Sequence, residues 1–185
     1  MIEAGAVRKG NVIQYEGGLW LVLDTQVTST GKRGAYTQIK MQSLDDQHIE
    51  TQRFSTSDKI EKAFLEKRRM TYLYQDGAQY VFMEPESGEQ IHLSEDRLED
   101  VIPYMAYNAE VEIDFHEGRA VTVELPPSVV LEVTKTEPAV RGDTATGVTK
   151  PAEVETGLTV KVPGHIRQGE TIRVDTRTGE FLGRA

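Results

Sequence analysis

Between Gly31 and Gly34 the chain sets two cations side by side, Lys32 and Arg33, within the run TSTGKRGAY at residues 28–36. Lysine offers a point charge on a long stem, and arginine a planar fork that grips phosphate through two donors. Flanking glycines let a backbone turn tightly. The alternating apolar segments on either side make the run a hairpin tip, able to carry both charges into a narrow RNA-lined cavity. Four more cations, Arg8, Lys9, Lys40 and Arg53, are candidates for one side of the same unit, where they would meet an RNA backbone. Farther along, Arg141, Gly142, Asp143 and Thr144 combine a hydroxyl, a carboxylate and free backbone N–H groups. Such a loop can hydrogen-bond base edges and sugars. The first three of these residues also spell a cell-adhesion tripeptide, read here as coincidence.

Other chemistries find no foothold. His48, His92, His116 and His165 are scattered with no metal-ligand spacing, and cysteine is absent, which excludes disulfides and thiolate metal sites. No glycine-rich loop follows a strand and opens a helix, and no G-x-S-x-G nucleophile turn occurs. The carboxylates show no pairing that marks an acid–base couple. The expectation is therefore a binding protein: not an enzyme, with no metal and no cofactor.

The 185 residues carry 21 Lys and Arg against 30 Asp and Glu, a net charge of −9. Net acidity argues against simple nucleic-acid coating, but the average hides a pattern. Residues 1–64 hold eight of each sign, residues 65–128 hold five cations against fourteen anions, and residues 129–185 again hold eight of each. The whole excess lies in the middle third, leaving two ends that can approach phosphate and a middle that repels it. No N-terminal apolar segment suggests a signal peptide, and no apolar run reaches the ~18–20 residues that span a bilayer. A cytoplasmic protein with no membrane partner is expected.

The elements that must position these residues read as short strands. Turn residues recur every 8–12 positions or so, the spacing of all-β barrels. Glu16-Gly17-Gly18 reads as a tight hairpin. In YTQIKMQSL, Ile39 and Met41 take one face and Gln38, Lys40 and Gln42 the other. HIETQRF supplies a further strand, and the first 60 or so residues suggest an SH3-like barrel. STSDKIEKAFLEKRR reads as charged and irregular, with a linker near Phe64–Lys67. Asp76-Gly77 marks the turn of a hairpin, and LSEDRLEDVI reads as one short helix, capped by Ser94 and stopped by Pro103. AEVEIDFHEGRAVTVEL is another hairpin, with Val111, Ile113 and Phe115 on one face. Pro126-Pro127 marks the next boundary. Beyond it, strands turn at Gly164, Gly169 and Gly179. The partition is 1–64, an SH3-like domain with the tip loop; 65–128, an acidic OB-like domain; and 129–185, a second OB-like domain.

Taken together, TYLYQDG, VELPPSVVLEV, GDTATG, KPAEVETGLTVKVP and GETIRVDTRTGEF occur in an order and spacing that resembles bacterial elongation factor P over essentially the whole chain. The 150–163 segment is the most specific. The resemblance implies an elongated, L-shaped, tRNA-like monomer: an SH3-like (KOW-like) domain followed by two OB folds. It implies binding to the ribosome beside the peptidyl-tRNA, stimulation of peptide bond formation and relief of stalling at consecutive prolines. By alignment with the family's Pro-Gly-Lys-Gly-x-Ala-Phe pattern, Lys32 occupies the tip that reaches the tRNA acceptor end. In many members that lysine is extended after translation by a modifying enzyme. Gly142, Asp143 and Thr144, beside Arg141, match the family's reader of the mRNA exit-site codon.

Two departures stand out. Thr30 replaces the usual proline, and Arg33 replaces the glycine after the tip, which puts two cations there and leaves either as the modified residue. Gly31 and Ala35 favour Lys32. A paralogous factor of the same family, or a generic OB-fold RNA-binding module, is the alternative reading.

Overall fold

In the computed structural model, which describes residues 1–138 and 148–185, strand alternation decides which side chains meet. The first sheet holds β1 (Ile2–Glu3), β2 (Val12–Tyr15), β3 (Gly18–Ser29), β4 (Ala35–Ser43), β5 (Ile49–Ser55) and β6 (Lys59–Lys62). Their order is β1-β6-β2-β3-β4-β5. Ala4, Val7, Ile13, Val22, Ile39, Met41 and Ile60 fill its core, with Tyr15, Trp20 and Phe54 packed at the margin. The β2–β3 hairpin turns at Glu16-Gly17, both at positive φ, as expected of a two-residue loop matched to strand twist.

The segment read as irregular contains a strand. β6 pairs with both β1 and β2. Its one buried side chain is Ile60, while Lys59, Glu61 and Lys62 are exposed. A four-residue strand with a single apolar position offers almost no periodicity, and the sheet's need for a closing partner decides its conformation.

The second sheet comprises β7 (Glu66–Asp76), β8 (Gln79–Met83), β9 (Gln90–Ser94), β10 (Glu110–His116) and β11 (Arg119–Glu124), ordered β11-β10-β7-β8-β9. The β7–β8 turn falls one residue later than the sequence suggested. Asp76 pairs with Gln79, and the loop is Gly77-Ala78 with positive φ at Gly77. The short helix is also corrected. Ser94 ends β9, Glu95–Arg97 form a single 3-10 turn, and Ser94 makes no side-chain cap. Pro103 lies inside a second 3-10 turn, Ile102–Tyr104, rather than stopping a helix. Leu98 and Val101 are buried, so burial of these two apolar groups sets the path where an α-helix would have needed a longer stripe.

The third sheet is built from β12 (Ser128–Thr136), β13 (Thr149–Val154), β14 (Thr159–Pro163), β15 (Thr171–Asp175) and β16 (Phe181–Arg184), ordered β14-β13-β12-β15-β16. Its core is aliphatic: Leu131, Val133, Ala152, Val154, Val160, Val162, Ile166, Ile172 and Val174. By contact density the chain forms two compact units, one of Met1–Glu66 with His116–Val121, the other of Lys67–Phe115 with Thr122–Ala185. Within the second unit Tyr104 and Ala106 pack on the third core, and the Thr156 hydroxyl donates to the Pro103 carbonyl. No α-helix occurs among the described residues, and none of their helical turns is long and apolar enough to cross a membrane.

The acidic second sheet concentrates its charge around Lys67, whose ammonium donates to Glu124 and lies 3.3 Å from Glu112 and 4.0 Å from Asp114. The hydrogen bond to Glu124 leads in holding the Lys67 ammonium protonated above its ordinary range. Asp114 is buried and accepts from the Thr122 hydroxyl at 2.7 Å. Burial raises its carboxyl above the usual range, and Glu124 adds to this, while the Thr122 hydrogen bond and the Lys67 charge oppose it.

Protonated Asp114 is thus favoured in the folded chain. The stability it contributes is fully present below the ordinary carboxyl value of ~3.9 and is lost as pH rises through the higher folded value. Asp114→Asn should remove that decline, so the variant gains on the parent as pH rises, read from urea midpoints across the acidic range. In the first sheet, Thr37 is fully buried and its hydroxyl has no partner. An unsatisfied buried polar group costs ~1–3 kcal/mol, so Thr37→Val should stabilise by about 1 kcal/mol in urea denaturation.

Candidate nucleic-acid interface

The tip is the end of a ribbon. β3 and β4 pair from Trp20↔Ser43 to Ser29↔Ala35, with one register shift between Val22 and Asp24 that leaves Leu23 as the extra residue. From fully buried Ile39 to Ala35 the ribbon runs about 13 Å at strand rise. Lys32 and Arg33 then sit in a 3-10 turn, Gly31–Arg33, both exposed. Neither has a hydrogen bond or an ion pair among the described residues, so the two charges face outward uncompensated.

Closure of this loop is specific. The Thr30 N–H and the Thr30 hydroxyl both donate to the Gly34 carbonyl, at 3.1 and 2.7 Å. The Gly34 N–H returns a bond to the Gly31 carbonyl at 3.3 Å. Proline at position 30 could make neither of the Thr30 bonds, having no N–H and no hydroxyl. The departure from the family pattern therefore supplies the latch of this tip. Gly34 takes φ 85°, ψ −176°, a conformation open in practice only to glycine.

Of the remaining cations, the structure brings Lys40 and Arg53 onto one outward face. Lys40 lies opposite Asp24 on β3 and Thr51 on β5, and Arg53 lies opposite Gln38. The Arg53 guanidinium stacks over the Tyr36 ring, 3.6 Å from its centroid. Arg8 and Lys9 sit instead in the turn before β2. The Arg8 guanidinium is turned onto its own backbone, donating to the carbonyls of Gly5 and Val7 at 2.8 and 3.0 Å. Arg141, Gly142, Asp143 and Thr144 lie outside the described residues. On either side of them, the Thr136 hydroxyl donates to the Pro151 carbonyl and buried Lys150 donates to the Glu137 carbonyl. The described residues contain no cluster of three or more His, Cys, Asp or Glu fit to hold a metal ion.

Sequence reasoning overlooked two parts of this site: the role of Thr30 and the Tyr36–Arg53 stack. The alternation of β4 puts Tyr36 on the same face as Gln38 and Lys40. Arg53 joins them only once the β4–β5 register is known, and that register depends on the irregular turn through Gln47, at φ 61°.

Comparison with known proteins bears on the same elements. Three family models match in sequence: the elongation factor P KOW-like domain over residues 3–60, the elongation factor P OB domain over 65–123, and the elongation factor P C-terminal domain over 129–184. Among relatives, elongation factor P of Thermoanaerobacter sp. (strain X514) is 46% identical over 184 residues, covering 100% of both chains. That of Acidithiobacillus ferrooxidans is 45% identical, covering 100% of this chain and 99% of its own. A solved structure described as eukaryotic translation initiation factor 5A from Methanococcus jannaschii shares the fold (TM-score 0.50, 20% identity), covering 66% of this chain and 92% of that one.

The fold and these matches define a class: an all-β translation factor in which an SH3-like, KOW-like barrel precedes OB-type barrels. Within that class, the chain belongs to the elongation factor P family, and it is a translation elongation factor.

Gly34 tests the tip. A Cβ there meets nothing within 4 Å, so substitution acts through backbone strain alone. Gly34→Ala should cost about 1–3 kcal/mol in chemical denaturation, with amide shift changes confined to residues 29–36 in NMR spectra.

Proposed function

We propose that this chain binds the ribosome beside the peptidyl-tRNA and stimulates peptide bond formation, relieving stalling at consecutive prolines. Lys32 steadies the acceptor end of the tRNA. The observation that carries this reading is the uncompensated cationic tip on a latched ribbon, joined to membership of a translation-factor family. Arg33 shares the tip, and Lys40 and Arg53 contact the RNA backbone from the outward face of β4 and β5. Arg8 and Lys9 offer weaker contacts from the turn before β2. Arg141, Gly142, Asp143 and Thr144 meet the mRNA exit-site codon. The factor works as a cytoplasmic monomer of three domains (1–64, 65–128 and 129–185) and needs no cofactor. A lysine-modifying enzyme that extends Lys32 would lengthen its reach.

The physical task is positioning. Proline is a poor nucleophile and constrains the donor peptide, while the ribosome already supplies the chemistry. Orienting reactants can lower a barrier by up to roughly 7–11 kcal/mol, and recovering only ~1.4 kcal/mol gives tenfold in rate. Charge-assisted hydrogen bonds from Lys32 to the RNA backbone suit that demand without a covalent step. The acidic middle segment, repelled by RNA, fits a basic ribosomal protein.

Lys32→Ala removes an exposed side chain, so its thermal melt should match the parent. It should slow synthesis of a polyproline-containing reporter at least tenfold in a reconstituted translation system, with little effect on a reporter lacking proline runs. Undiminished polyproline synthesis would reject the role. Intact mass of natively expressed protein, mapped to Lys32 or Arg33, locates any modification.

A further inference from the structure

Where the second sheet meets the segment leading into β12, a cleft of about 380 Å³ opens. Its size lies in the range of small-ligand sites, about 300–1,000 Å³. Arg69 on β7, Glu110 and Glu112 on β10, and Leu125, Pro126 and Pro127 between β11 and β12 line it. We propose that this cleft binds an apolar α-amino acid as its zwitterion. Arg69 takes the carboxylate, Glu110 takes the ammonium, and the apolar side chain lies against Leu125, Pro126 and Pro127. The site shares no residue with the tip and goes beyond the function proposed above.

Three observations carry it. First, two opposite charges face one cleft and neither is used. Met70 and Val111 are buried, at 1% and 2% exposure, and turn into the core. Strand alternation therefore puts their neighbours Arg69, Glu110 and Glu112 on the outward face, on strands adjacent in the sheet. Glu112 is engaged, 3.3 Å from the Lys67 ammonium. The side chains of Arg69 and Glu110 have no hydrogen bond or ion pair among the described residues, with each other or with any other group. In a chain with 30 acidic residues against 21 basic ones, an unpaired arginine beside an unpaired glutamate is not an expected leftover.

Second, the apolar wall is preformed. Two successive prolines hold φ nearly fixed. The Thr176 hydroxyl is shared between the carbonyls of Pro126 and Pro127, at 2.6 and 3.0 Å, and the Thr176 N–H also donates to the Pro127 carbonyl at 3.0 Å. A wall held in place from behind loses little freedom when a ligand settles on it. Third, a ligand of one sign fits badly. A phosphate or a carboxylate alone would pair with Arg69 but be repelled by Glu110 and Glu112. A lone cation would pair with Glu110 but be repelled by Arg69. A molecule with both charges close together satisfies both groups through charge-assisted hydrogen bonds. The volume holds an amino acid of leucine size, and the prolines and Leu125 give its side chain an apolar bed.

The test titrates L-leucine into the isotope-labelled full-length protein and follows its amide NMR spectrum. Saturable shifts should appear at Arg69, Glu110, Glu112 and Leu125. Arg69→Gln and Glu110→Gln should each weaken binding about tenfold, the loss of one charge-assisted pair. Both side chains are exposed, so circular dichroism melts should match the parent. N-acetyl-L-leucine, which lacks the ammonium, and L-leucinamide, which lacks the carboxylate, should each bind the parent about tenfold more weakly than L-leucine. Glycine, with both charges and no side chain, should also bind more weakly. Absence of saturable shifts at these amides would overturn the site. So would equal binding of N-acetyl-L-leucine or L-leucinamide, or unchanged affinity in both variants, since one or both charges would then be idle. Tighter binding of trileucine than of L-leucine would also overturn it, marking a groove for a peptide chain.

Discussion

A two-stranded ribbon can carry charge away from its own barrel only if its backbone groups satisfy one another, because little else supports it there. In this protein the β3–β4 ladder does so as far as Ser29 and Ala35. Past that pair the chain has five residues in which to reverse. Backbone pairing alone would leave the Gly34 carbonyl with one donor, and Thr30 supplies a second through its hydroxyl. Everything assigned to the tip depends on this closure, since two neighbouring cations repel one another and would splay an unsecured loop.

The charge distribution follows from the same demand. A cationic tip in a uniformly basic protein would bind RNA anywhere along its surface. Here the tip belongs to a neutral segment, followed by one with nine more anions than cations. Acidity in the middle would discourage contact with RNA there and leave the favourable electrostatics to a small area. The second sheet tolerates that density because Lys67 gathers Glu112, Asp114 and Glu124 around a single ammonium. Burial of Asp114 is the local cost.

Much of this was legible in the sequence, for identifiable reasons. The turn at Glu16-Gly17 was legible because glycine takes positive φ without strain, and the flanking alternation told which residues are buried, as Ile39, Met41, Val111, Ile113 and Phe115 bear out. What escaped depended on distant partners. Strand β6 has one apolar residue and exists because β1 and β2 need a neighbour. The residues after Ser94 carry helix-cap chemistry, yet burial of Leu98 and Val101 breaks them into 3-10 turns. The cationic tip was readable because Gly31 and Gly34 bracket it. The stack of Arg53 on Tyr36 was not, because it joins residues seventeen apart through a register that no local rule supplies.

The period of two along the paired ribbon makes the arm's length discontinuous. Adding one residue to each strand would move the apex outward by ~3.3 Å and turn it over, presenting its cations to the opposite side. Only additions in steps of two, ~7 Å at a time, would preserve the facing. The arm therefore cannot be lengthened gradually through its backbone. The remaining fine adjustment lies in side-chain length at the apex, where a chemical extension of a lysine changes reach without disturbing which way the arm points.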